Sequence, residues 1–168
     1  MELTARTALL YGLVVGLVIG AVGGATFAGP NQVHLDNSTL PTSVSSASST
    51  CYDGPRKNAG WVHVVAGGRR WTTTLNATVV HPQGTDVRVN VSQRPTGTYE
   101  IALETVPHTS EKPLQNESCQ AATTLNVATA LPKPHFVVTM NGRVIREVDQ
   151  DETTANLYPL PNPINATG

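Results

Sequence analysis

Residues 136–148 read FVVTMNGRVIREV. Two runs rich in Val, Ile and Thr stand on either side of Asn141-Gly142. Asn-Gly between such runs is the strongest short signal of a β-hairpin, because a two-residue type I′ turn needs positive φ at both central positions. The spacing predicts strands over 136–140 and 143–148, and it sets an all-β reading for the chain around them.

The same two-residue period recurs upstream. Trp61 to Ala66 reads as a strand closed by Gly67-Gly68. Trp71 to Val80 follows, with Trp71, Thr73, Leu75, Ala77 and Val79 on one face. Val87, Val89 and Val91 alternate with Arg88, Asn90 and Ser92, and Tyr99, Ile101 and Leu103 alternate with Glu100, Ala102 and Glu104. Ala121 to Leu131 is a further strand. About seven strands and no soluble helix point to an immunoglobulin-like β-sandwich. Cys51 precedes the first of these strands, so the Cys…Trp…Cys spacing of true immunoglobulin domains is not reproduced. Thr73-Thr74-Leu75-Asn76 recurs as Thr123-Thr124-Leu125-Asn126. In a Thr-rich chain this is read as a coincidence, because repeat arrays need three or more units.

The N-terminal end is of another kind. Ala8 to Ala28 form 21 consecutive uncharged residues, mostly Leu, Val, Gly, Ala and Ile. A bilayer core needs about 20 apolar residues in a helix. Arg6 precedes the run and no Lys or Arg follows until Arg56, so the positive-inside rule keeps the N-terminus cytoplasmic and puts the C-terminal domain outside the cell. The run exceeds the h-region of a cleaved signal, which favours a signal anchor; cleavage near Ala28, releasing a soluble binding domain, is the alternative. Gly12, Gly16, Gly20 and Gly24 form one helical stripe, which favours homodimer packing in lipid. A pilin-like, assembling subunit is a further alternative, although Arg6 is followed by Thr7 and not by the Gly or Ala of archaeal pilins.

The expected organisation is thus a transmembrane helix over 1–29, a Ser/Thr-rich stalk over 30–50, a β-sandwich over 51–148 and a flexible, Pro-rich tail over 149–168. Six Ser and three Thr among residues 30–50 give that stretch little apolar surface to offset its ordering entropy.

Two cysteines in an exported chain predict one disulfide, Cys51–Cys119. Five sequons, at Asn37, Asn76, Asn90, Asn116 and Asn165, are expected glycosylation sites. Strand phase puts Asn76 and Asn90 on the faces opposite their apolar neighbours. His34, His63, His81, His108 and His135 show no metal-pair spacing, and Asp149, Asp151 and Glu152 read as a solvated acidic turn. Glu100 and Glu104 share one strand's polar face. No nucleophile elbow, phosphate loop or zinc-protease motif occurs. No catalytic residue, metal or cofactor is expected. The net charge of −1, with 14% charged residues, gives no basic footprint for nucleic acid.

The sequence Tyr99-Glu100-Ile101-Ala102-Leu103, then Cys119, then Ala121 to Pro132 and the hairpin from Phe136 to Val148, resembles small exported, membrane-anchored β-sandwich proteins of haloarchaea. Lys scarce relative to Arg agrees with this, whereas the near-neutral charge departs from the acidic haloarchaeal norm. The resemblance implies an envelope location and brings no activity and no site residue. The expected function is a membrane-anchored envelope protein that presents an exported β-sandwich to a surface partner.

Overall fold

The computed structural model describes residues 40–108 and 118–167, except the side chains of 48 and 49. The described chain is all-β, with ten strands: β1 (Thr42–Cys51), β2 (Trp61–Gly67), β3 (Arg70–His81), β4 (Thr85–Gln93), β5 (Tyr99–Pro107), β6 (Ala121–Leu131), β7 (Phe136–Met140), β8 (Arg143–Val148), β9 (Asn156–Pro159) and β10 (Ile164–Asn165). They form two sheets. Sheet A runs β1-β6-β3-β2-β9, with β10 parallel to β3 beyond the end of β2; sheet B runs β4-β5-β7-β8.

Period-2 alternation explains how the sheets meet. Leu75, Ala77 and Val79 of β3, Leu125 and Val127 of β6, and Val62 and Val64 of β2 turn one face of sheet A inward. Val87, Val89 and Val91 of β4, Ile101 and Leu103 of β5, and Phe136, Val138 and Met140 of β7 answer from sheet B. Each fully buried Val, Leu or Phe contributes about 1.5–3 kcal/mol through apolar area removed from water. Trp71, expected on the inward face, packs half-buried at the margin of this core.

The hairpin that opened the reading is present. Asn141 has φ 50° and Gly142 φ 78°. The Asn141 side chain also works outside its own turn. Its Oδ1 accepts from the Thr105 backbone N at 2.9 Å, and its Nδ2 donates to the Ala166 carbonyl at 3.0 Å. One turn residue therefore ties β7 and β8 to β5 and to the C-terminal segment.

Three strands depart from expectation. The stalk expected over 30–50 does not hold at its C-terminal end: Thr42–Cys51 is β1, paired antiparallel with β6. Thr and Ser offer β-compatible backbone, and the edge of β6 supplies the partners that composition alone does not reveal. The domain accordingly starts before Cys51, which is the last residue of β1 and not a residue ahead of the first strand.

The flexible tail expected over 149–168 is likewise built into the fold. Leu160 and Ile164 are buried in the core, β9 pairs with β2, and β10 pairs with β3. Pro159 lies in a strand with a partner on one side only, where a missing N–H costs no ladder bond. The tail seats on Gly60: the Leu160 N donates to the Gly60 carbonyl at 2.8 Å, and a Cβ on Gly60 would meet Asn162 Cβ at 2.7 Å. Gly60 has φ 84°, so both space and backbone require glycine there.

Among the described residues no helix is long and apolar enough to cross a membrane. The run Ala8 to Ala28, with Gly12, Gly16, Gly20 and Gly24, lies outside them.

Candidate interaction face

The pleat that turns Leu75 and Ala77 inward turns Thr74 and Asn76 outward, and sheet register then lines up their neighbours. Ser45, Asn126, Asn76, Trp61 and Pro159 stand side by side across β1, β6, β3, β2 and β9. Ser43, Ala128, Thr74, His63 and Leu157 form the next row. Neither row contains Lys, Arg, Asp or Glu. Trp61 is half-buried and held by its Nε1, which donates to the Asn58 carbonyl at 2.8 Å. Leu157 is 64% exposed, an apolar contact at the rim.

Asn76 and Asn126, the last residues of the two matching tetrapeptides, are direct cross-strand partners at the centre of this face. The Asn76 Nδ2 donates to the Asn126 Oδ1 at 2.5 Å, while the Asn76 Oδ1 is buried without a hydrogen-bond partner. The match read as coincidence in the sequence therefore meets itself across an antiparallel pair. Chemically the two rows offer hydroxyls, amides, one indole and the His63 imidazole, without a carboxylate, ammonium or guanidinium group.

The outer face of sheet B is different. Arg94 grips Glu100 with two bonds, Nε to Oε2 at 2.9 Å and Nη2 to Oε1 at 2.8 Å, and the Thr139 hydroxyl donates to Oε1 at 2.8 Å. The Arg94 guanidinium holds the Glu100 carboxyl below its ordinary range, aided by Thr139 and opposed by partial burial. Arg88 and Glu104 are register partners beside them. Glu100 and Glu104 thus sit among cations, as befits a structural face.

The predicted disulfide is formed: Cys51 and Cys119 are joined, with Cα atoms 5.5 Å apart. Because Cys51 is paired in register with Ala121, the bridge staples the end of β1 to the start of β6. Of the five sequons, Asn37 and Asn116 lie outside the described residues. Asn76 is central in sheet A, and Asn90 is half-buried on β4, an edge strand, with its Oδ1 unpartnered. Asn165 is exposed, and its Oδ1 accepts from the Thr167 N and hydroxyl at 3.2 and 3.0 Å.

His34 lies outside the described residues, and the other histidines have separate settings. His63 is in the second of the two rows. His108 Nδ1 pairs with Asp86 at 2.6 Å. His81 is buried, with Nε2 at 2.9 Å from the Thr123 hydroxyl and Nδ1 at 3.0 Å from the Thr85 hydroxyl. Burial pushes its pKa down, against the raising influence of the Pro82 carbonyl and Asp86. His135 is the histidine whose placement local spacing did not reveal. Phe136 pairs with Val148, which sets His135 beside Asp149; their Nδ1 and Oδ1 lie 2.5 Å apart, and an Asp151 oxygen falls within 4.8 Å of both. All three are exposed. The acidic turn expected at Asp149 and Asp151 is solvated as expected, but it has gained an imidazole from the far end of the hairpin.

No protein-family model matches this chain, and neither a characterised protein nor a solved structure matches it.

Proposed function

We propose that this chain is a membrane-anchored cell-envelope protein: one N-terminal span, the N-terminus in the cytoplasm, and an extracellular β-sandwich of immunoglobulin-like kind that serves as an interaction module with no reaction of its own. The observation that carries the interaction reading is a pair of adjacent rows on the outer face of sheet A that contain no Lys, Arg, Asp or Glu, with Arg70 at their margin. Two five-residue rows of hydroxyl, amide, small and aromatic side chains form a surface fit for a neutral partner. The Cys51–Cys119 bridge supports an oxidising location, since structural disulfides persist outside the cytoplasm. The apolar run ahead of the domain supports anchoring over release.

The test is made on the full chain in membranes. Fractionation, protease protection and mass spectrometry of the intact protein are read together. The proposal expects a membrane-bound chain that retains residues 1–29, an externally accessible domain and an oxidised Cys51–Cys119 pair. Glycan mass on any of the five sequons would add to it. A mature start near Gly29 in the soluble fraction would replace it with the secreted-domain reading. Processing next to Arg6 would favour an assembling, pilin-like subunit.

A further inference from the structure

The four outer strands of the two sheets are not protected alike. An edge strand presents unpaired N–H and C=O groups, and proteins blunt such edges with charge, Pro or short length. β9 has four residues and contains Pro159; β8 carries Arg143, Arg146 and Glu147; β4 carries Asp86 and Arg88. β1 has ten residues, TSVSSASSTC, without a charge or a Pro. Its pairing with β6 is regular from Thr42 to Ala47 and shifts register only beyond that.

The direction of its backbone groups follows from one hydrogen bond. The Ala130 N donates to the Pro41 carbonyl, so positions 41, 43, 45 and 47 bond to β6. The N–H and C=O groups of Thr42, Val44 and Ser46 therefore point away from β6, to a side where no strand pairs among the described residues. We propose that this edge pairs with β1 of a second copy of the same chain, antiparallel across a two-fold axis. One register satisfies every outward group: Val44 faces Val44 of the partner subunit, and Thr42 faces Ser46 of the partner subunit. An isologous contact of this kind is self-complementary by symmetry.

The chain ahead of β1 argues for a second copy over a foreign strand. A five-residue strand pair is too weak to hold two free molecules together. The inference rests on the anchored reading, because a shared membrane raises the effective concentration of copies. In the proposed register each Thr42 lies only about 7 Å along the strand from the axis. The chain between Ala28 and Thr42 reaches roughly 40 Å when extended, so two anchored copies meet at this edge without strain on the tether.

The register gives a sharp cross-linking test. Ser43 faces Ser45 of the partner subunit in a non-hydrogen-bonded position, where Cα atoms approach to about 4.5 Å, within disulfide reach. Like residues are offset by two positions and lie about 8 Å apart, beyond that reach. Full-length Ser43→Cys and Ser45→Cys chains, carrying different tags, are co-expressed and mildly oxidised in membranes. Both positions are exposed, and the Cys51–Cys119 bridge is checked by mass spectrometry. The expected result is several-fold more cross-linked heterodimer than either variant forms alone. Adding Ser46→Pro to both chains removes an N–H that makes no bond to β6, so the domain keeps its fold and the cross-link disappears. Equal cross-linking of each variant alone, no cross-link in the mixture, or persistence with Ser46→Pro would each overturn the proposal. Fractionation of the same samples reports on the anchor separately.

Discussion

Asn141 offers the most direct measurement of how the hairpin is tied to the rest of the domain. Asn141→Ala removes the Oδ1 acceptor shared by the Thr105 N and, at 3.3 Å, the Thr105 hydroxyl, together with the Nδ2 bond to Ala166, and leaves the backbone in the left-handed region. The bond to the Thr105 N is solvent-exposed and is assigned about 0.5 kcal/mol; the part-buried bond to the Ala166 carbonyl is assigned about 1 kcal/mol. Holding Ala at φ 50° costs about 1 kcal/mol more. The sum is about 2.5 kcal/mol. Asn141→Gly loses the same bonds while accepting the backbone, and should cost about 1 kcal/mol less than Ala. Asn141→Asp keeps an acceptor for Thr105 but turns a carboxylate toward the Ala166 carbonyl, so its deficit should shrink as the carboxyl is protonated. Urea unfolding of the full chain in detergent, followed by the fluorescence of Trp61 and Trp71, gives all three values. Equal losses for Ala and Gly would refute the backbone part of the reasoning. A loss below about 0.5 kcal/mol for both would refute the tie between the hairpin and the C-terminal segment.

Other outcomes follow from the same structure. Cys51→Ser with Cys119→Ser opens a loop of sequence separation 68 and should cost about 2–4 kcal/mol, read as a lower denaturation midpoint with unchanged cooperativity. Gly60→Ala must displace Asn162 and strain a positive φ, so it should destabilise by more than about 1 kcal/mol and raise hydrogen exchange along β9 first. Ile164→Ala, at a fully buried site, should cost about 2–4 kcal/mol by calorimetry, whereas a loose tail would show no change. Acidification should weaken the fold. The folded pKa of His81 lies below its unfolded value of 6.5, so its contribution is complete above that value and falls away as pH drops from there toward the folded pKa. Glu100, also depressed when folded, loses its contribution in turn as pH falls through the carboxylate range. His81→Gln should remove the first step and leave the second, as read from denaturation midpoints at successive pH values.

The seven strands legible in the sequence are those with their own signal. Val87, Val89 and Val91 alternate with polar residues because both faces of β4 are defined by burial, and Asn141-Gly142 announces its turn through backbone chirality. β1 has no such signal: Ser and Thr fill both faces, and only the edge of β6 makes a strand of it. Leu160 and Ile164 were hidden among prolines, and two apolar residues do not make a period. The pair of rows on sheet A was half legible. Strand phase put Asn76 outward, but its neighbours Asn126 and Trp61 are supplied by register between distant strands. The contact between His135 and Asp149 is hidden in the sequence for the same reason, since hairpin pairing joins residues that local spacing separates.

The position of β3 has a consequence for when the domain is completed. β3 is flanked by β6, which arises later in the chain, and by β2; past the end of β2 its remaining edge is filled by Ile164 and Asn165 at the C-terminus. β6 in turn receives β1 from the beginning of the domain. Both ends of the domain are thus needed to finish one sheet. Contacts of such long sequence separation form slowly, and the last of them needs Ile164 and Asn165. Closure of sheet A is therefore a late event in folding, completed by the short C-terminal strand that a shorter domain would lack.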